Sequence, residues 1–142
     1  MSLKTSKQAW EDLGELDPLY AIQTDPRFKF NKWDLDSFFD TGTQEIAIFL
    51  EKARKMGYPS GRQIALDFGC GIGRLTRALT KYFDKVYGVD ISATMISKAK
   101  ELNTDFPQCE FIKNDEADLK IFPDQYFDLI YSNIVLQHIS KR

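Results

Sequence analysis

Histidine is nearly absent from this chain, with one residue in 142, and cysteine appears only twice, at Cys70 and Cys109. Two thiols without a third or fourth partner at ligand spacing exclude the common zinc and cluster motifs and a disulfide framework, so no metal site is expected. They read as buried free thiols, which places the chain in a reducing cytoplasm. There is no apolar run of about 18 residues and no charged-then-apolar leader, so neither a membrane span nor a secretion signal is expected. A net charge of −2 argues against a broad electrostatic footprint for nucleic acid. The small basic group Lys52, Arg54 and Lys55 lies beside Glu51 and reads as a solvated helix face. Repeats and low-complexity tracts are missing too. What is present is ordinary globular material, 43% hydrophobic and 28% charged, long enough for one core.

Within that composition the glycines are concentrated. Residues 65–76 read Ala-Leu-Asp-Phe-Gly-Cys-Gly-Ile-Gly-Arg-Leu-Thr. The apolar run Ile64 to Phe68 fits a central parallel strand. Gly69, Gly71 and Gly73 follow, removing the side chains that would keep a ligand from the backbone. From Arg74 a helix is expected, with Leu75, Ala78, Leu79 and Tyr82 on one face. Such a strand-turn-helix unit offers free N–H groups and a positive helix end to a nucleotide-like ligand. A dinucleotide fingerprint needs G-x-G-x-x-G, whereas here the third glycine comes one residue early and Arg74 stands where it belongs. Asp67 lies two positions before Gly69; a carboxylate there repels a pyrophosphate and suits an ammonium. The ligand implied is an amino-acid-bearing nucleoside such as S-adenosylmethionine.

The following segments extend the pattern. Lys85 to Asp90 reads as a second strand ending in a carboxylate, about twenty residues past Gly71, the separation expected of an acid that holds ribose hydroxyls. Ser92 can cap the next helix, whose apolar face is Met95, Ile96, Ala99 and Leu102. Cys109 to Ile112 is a short third strand followed by the turn formers Asn114 and Asp115. Phe127 to Tyr131 is a fourth strand after the turn Pro123-Asp124-Gln125. Asn133, Gln137 and His138 follow it at the carboxyl edge, where open α/β sheets bind ligands.

Together these segments resemble the class I S-adenosylmethionine-dependent methyltransferases over about Ile64 to His138. The resemblance implies a Rossmann-like, doubly wound, mainly parallel α/β sheet of methyltransferase type. It implies S-adenosylmethionine as cofactor, S-adenosylhomocysteine as product and methyl transfer as the activity. Asp67, Gly69, Cys70, Gly71 and Gly73 match the first motif, which in the family cradles the methionine part. Asp90 matches the ribose acid and Ile91 the residue against adenine, with Met95 on the helix that follows. Asp115, Glu116 and Ala117 match the segment after the third strand, where an Asp usually meets the adenine amino group. Asn133 falls at the exit of the fourth strand, near the transferred methyl. His138 is a candidate general base, although its ring could equally pack beside Ile134, Val135 and Ile139; a positioned sulfonium needs no protein base when the acceptor is already nucleophilic.

Two regions are expected: an amino-terminal helical cap over residues 1–60, and the cofactor-binding core over residues 61–142. The family fold has seven strands and only the first four are present, so the chain reads as truncated. Its fourth strand would be an exposed apolar edge favouring self-association. In the amino-terminal region a short helix is expected over Gln8 to Leu13 and an amphipathic one from Thr43, carrying Ile46, Phe49, Leu50, Ala53 and Met56. Trp10, Tyr20 and Trp33 are candidates for a lid, or for plain cover of the sheet. A small molecule is the expected acceptor, since neither a basic face nor a peptide groove is visible. A non-catalytic S-adenosylmethionine-binding module and an aminopropyltransferase stay open as rivals. A nicotinamide oxidoreductase is disfavoured by the glycine spacing and by Asp67.

Overall fold

In a computed structural model, which describes residues 3–136, four strands form one parallel sheet in the order β3-β2-β1-β4. They are β1 (Ile64–Phe68), β2 (Lys85–Asp90), β3 (Cys109–Lys113) and β4 (Leu129–Tyr131). β1 pairs with β2 from Ile64↔Lys85 to Phe68↔Val89 and with β4 from Ala65↔Leu129 to Asp67↔Tyr131. The strand order therefore reverses at β1, and the crevice at its carboxyl end is where open sheets of this kind take ligands.

Among the described residues five α-helices accompany the sheet: α1 (Leu3–Leu16), α2 (Pro18–Ile22), α3 (Leu35–Lys55), α4 (Arg74–Leu79) and α5 (Ala93–Leu102). One part of the core joins Ile46 and Leu50 of α3 to Leu75, Ala78 and Leu79 of α4 and to Ala65 and Val86 of the sheet. Another joins Ile96 and Ala99 of α5 to Phe111 of β3 and Cys70. A third sets Phe38 and Phe39 of α3 against Ile72 and Met95, with Trp10, Ile22 and Trp33 packed around them. The amino-terminal region thus shares its core with the glycine turn. Among the described residues, no helix is long and apolar enough to cross a membrane.

The elements match the sequence in kind and differ in extent. α3 begins at Leu35, well before Thr43, because Asp34 caps it: its carboxylate accepts the N–H of Ser37 at 2.9 Å. The run Thr41-Gly42-Thr43 has weak helix propensity, but tertiary packing requires the glycine. A Cβ at Gly42 would stand 2.5 Å from the carbonyl oxygen of Arg74. α1 runs past both ends of the expected segment, seated on α5, with Lys98 Nζ donating to the Gly14 carbonyl at 2.8 Å. β4 is limited to Leu129–Tyr131, because its approach is diverted. Asp128 accepts the N–H groups of Gln63 and Ile64 at 2.8 and 3.0 Å, and Phe127 joins Tyr87, Phe122 and Tyr126 in an aromatic cluster. α4 stops at Leu79, and Tyr82 reaches the same core from the turn beyond it. The group Lys52, Arg54 and Lys55 is exposed, with Arg54 and Lys55 paired to Glu51.

The α3–α4 contact yields a direct test. Gly42→Ala forces a methyl against the Arg74 backbone and is expected to destabilise the fold by about 1–3 kcal/mol, the usual cost of overpacking. A urea midpoint unchanged from wild type would show that the two helices separate freely.

Candidate functional site

The glycine turn is shaped from below by the end of β2. Gly69 and Cys70 both donate their N–H groups to the carbonyl of Val89, at 2.8 and 2.9 Å. Gly69, Gly71 and Gly73 hold φ values of 78°, 53° and 88°, a region that side-chain-bearing residues rarely adopt. Above the turn space is closed: a Cβ at Gly71 would meet Ile22 Cδ1 of α2 at 2.6 Å, and one at Gly69 would strike Val135 after β4.

Asp90 stands at the carboxyl end of β2 beside this turn. Its Oδ2 accepts the Gly71 N–H at 2.9 Å and its Oδ1 accepts the Ser92 N–H at 2.9 Å. Desolvation raises the carboxyl above its ordinary value, against the pull of those N–H bonds. Each oxygen keeps a further lone pair, as a ribose-binding carboxylate requires. Asp67 lies deeper, 2% exposed, with Thr76 Oγ1 donating to its Oδ2 at 2.7 Å. Burial pushes its carboxyl up to about 6, although the Thr76 bond and the Arg74 charge work the other way. A buried acid so disfavoured as an anion gains most from a cation brought beside it. Cys70 is buried between these two carboxylates, and burial pushes its thiol up. It is a packed wall of the turn and no nucleophile.

The other expected site residues divide. Ile91 is half-buried next to Asp90, whereas Met95 lies in the core with Phe38, Phe39 and Ile72. Asp115 follows β3 and is already engaged: Lys113 Nζ and Lys7 Nζ each donate to its Oδ2, at 2.7 and 2.8 Å. Those bonds hold its carboxyl well below the usual range. Glu116 and Ala117 are exposed beside it. Asn133 is drawn to the other side of β1, its Nδ2 donating to Glu45 Oε1 at 2.6 Å. His138 and Gln137 lie outside the described residues. Of the lid candidates, Trp10 and Trp33 pack against the core around Met95, and Trp33 Nε1 donates to the Gln23 carbonyl at 3.1 Å.

Sequence reasoning overlooked the charged residues that bring the amino-terminal helices to the site. Glu11 of α1 accepts from Ser92 Oγ at 2.9 Å and from the N–H groups of Ala93 and Thr94 at 2.7 and 3.0 Å. It supplies a cap to α5 from eighty-odd residues away, so no local spacing could have marked it. Glu45 of α3 and Arg74 of α4 form a similar long-range pair at 2.8 Å. A buried Arg at a position reserved for glycine in other nucleotide folds was the available signal.

A methyltransferase domain family matches residues 66–142. The chain belongs to that family. Its sequence is 34% identical over 106 residues to phosphoethanolamine N-methyltransferase 1 of Arabidopsis thaliana, covering 74% of this chain and 21% of that protein. It is 28% identical over 137 residues to a ubiquinone biosynthesis O-methyltransferase of Rhodopseudomonas palustris, covering 96% of this chain and 49% of that one. The chain thus spans less than half the length of these curated methyltransferases. In fold it is similar to Haemonchus contortus phosphoethanolamine N-methyltransferase 1, solved with phosphoethanolamine and S-adenosylhomocysteine. The TM-score is 0.71 at 17% identity, over 97% of this chain and 26% of that one. The four-stranded parallel sheet with its flanking helices is accordingly the Rossmann-like methyltransferase fold.

The Glu11 clasp carries a pH signature. Partial desolvation raises its carboxyl, but the bonds from Thr94, Ala93 and Ser92 outweigh that and hold it at about 2, against 4.5 ordinarily. A carboxyl lowered by folding stabilises the native state above its unfolded value, and this contribution disappears as pH falls through the folded one. Glu11→Gln is expected to cost about 1 kcal/mol at neutral pH. The difference from wild type should shrink between about pH 4.5 and pH 2. Equal unfolding free energies at pH 7 would show that the clasp contributes nothing.

Proposed function

We propose that the chain binds S-adenosylmethionine at the carboxyl end of β1 and β2 and serves methyl transfer to a small-molecule acceptor. The observation that carries this reading is the Asp90 carboxylate, bonded to the Gly71 N–H of a triple-glycine turn, with a second buried acid, Asp67, behind it. The residues fit the nucleoside in kind. Asp90 would take the ribose hydroxyls, Ile91 the adenine face, and Asp67 the side on which the ammonium lies. Asp115 would take the adenine amino group by exchanging one of its two lysine partners. Bound there, the sulfonium supplies an electrophilic methyl whose bonding electrons stay on sulfur as a thioether. The protein's part is to align the two reactants and exclude water, and the cover of Ile22 and Val135 over the turn suits that task.

A small-molecule acceptor is supported by the names of the similar enzymes, which act on phosphoethanolamine or in ubiquinone biosynthesis. The free thiols Cys70 and Cys109 support a reducing, cytoplasmic setting. Exposed Ile130 on β4, with exposed Ile134 and Leu136 on the segment after it, supports self-association.

Calorimetric titration of the 142-residue chain with S-adenosylhomocysteine, with NADH as control, tests the cofactor assignment. Micromolar binding of the nucleoside alone is expected, and absence of binding by a cooperatively folded chain would overturn it. Asp90→Ala removes charge-assisted bonds of about 1.5–3 kcal/mol, so affinity should fall roughly ten- to a hundredfold. Wild-type affinity for Asp90→Ala would refute the ribose role.

Affinity should also decline as pH falls through about 6, where Asp67 takes up a proton and stops attracting an ammonium. Asp90, raised in the same direction by burial, adds to the decline. A titration series from pH 7.5 to 5.5 with constant affinity would show that neither acid faces the ligand's charge.

A further inference from the structure

On the far side of β1 from Asp90, one carboxylate gathers three elements. Glu45 extends from α3, and its Oε1 accepts from Tyr131 Oη at 2.9 Å and from Asn133 Nδ2 at 2.6 Å. Its Oε2 accepts from Arg74 NH2 at 2.8 Å. Arg74 is 4% exposed, and its NH1 donates to Thr41 Oγ1 at 3.2 Å. Its Nε is buried without a hydrogen-bond partner. Tyr131 is the last residue of β4 and Asn133 lies on the exit from it, while Arg74 is the first residue of α4, directly after Gly73. These residues belong to the two walls of the crevice where the strand order reverses.

From this arrangement we infer that Glu45 is a positioning residue for nucleoside binding, fixing the exit of β4 against the start of α4 through Asn133 and Arg74. The inference rests on the cofactor reading above and adds a residue to it that does not touch the ligand itself. The chemistry is economical. A carboxylate has lone pairs enough for three donors at once, and charge-assisted bonds are short and directional. A neutral or shorter side chain would take from Arg74 its hydrogen-bonded carboxylate, or leave Tyr131 and Asn133 free to turn. Burial and the Glu45 bond push the Tyr131 hydroxyl up to about 12, so it remains a donor throughout the physiological range. The orphan Nε shows that Arg74 is held by its two ends and not by a full set of bonds, so its placement depends on Glu45 and Thr41.

A purely structural ion pair would behave differently under replacement. Exchanging a buried or, as here with Glu45, partly buried pair for apolar residues of similar volume often preserves stability. The double variant Glu45→Leu/Arg74→Met is therefore expected to unfold near the wild-type urea midpoint, yet to bind S-adenosylhomocysteine at least tenfold more weakly by calorimetry. Folding with affinity within twofold of wild type would overturn the inference.

Should that variant fail to fold, the milder Glu45→Gln gives an independent reading beside Asn133→Ala. If Glu45 acts through Asn133, Glu45→Gln weakens binding severalfold alone and by less than twofold in the Asn133→Ala background. Independent, multiplying losses would overturn the inference. Failure of the wild-type chain to bind the nucleoside would instead overturn the cofactor reading, and this inference with it. Wild-type binding that no Glu45 variant alters would remove this inference alone.

Discussion

The end of β2 holds the glycine turn in shape, and the rest of the site depends on that constraint. The Val89 carbonyl takes two consecutive N–H groups of the turn, and the Asp90 carboxylate takes a third, from Gly71. Residues 69, 71 and 73 of that turn hold positive φ values, so glycine is a geometric requirement at each. The same contacts bring Asp90 beside the turn, where a ligand's hydroxyls and the backbone can share it.

The site is costly to build in electrostatic terms. Asp67 and Asp90 both lose solvation, and both are raised for that reason. Stability therefore resides elsewhere: in the parallel pairing of the four strands and in the apolar layer that α3, α4 and α5 bury against them. Such an arrangement has a functional logic, because acids held at a disadvantage in the free protein are the ones a cationic, hydroxyl-rich ligand relieves.

The amino-terminal helices pack onto the glycine turn and the strand ends. Glu11 caps α5, Lys7 meets Asp115, Ile22 covers Gly71, and Glu45 reaches Arg74, Tyr131 and Asn133. Each of these contacts joins residues far apart in sequence. Of the aromatics expected as a lid or as cover of the sheet, Trp10 and Trp33 pack against the core around Met95.

Much of this was legible from the amino acids alone, and the boundary has a physical cause. Strand, triple-glycine turn, capped helix and acid-ended second strand are encoded locally: apolar runs, φ > 0 positions, and Ser92 as a cap each act over a few residues. Those signals were enough to place Asp67, Gly71 and Asp90 together and to name the fold class. Where α3 begins was obscured by Gly42, whose absence of a side chain answers to the Arg74 backbone and not to helix propensity. β4 was read too long because Asp128 and Phe127 are claimed by residues elsewhere in the chain. Met95, placed by periodicity on the apolar face of its helix, lies in the core with Phe38, Phe39 and Ile72. The sequence by itself determined the family, the turn and the acids beside it, because local chemistry suffices for these. Only the tertiary structure decided which residues Glu11, Lys7 and Glu45 meet, because a carboxylate or ammonium reveals its partner only when the chain folds back upon it.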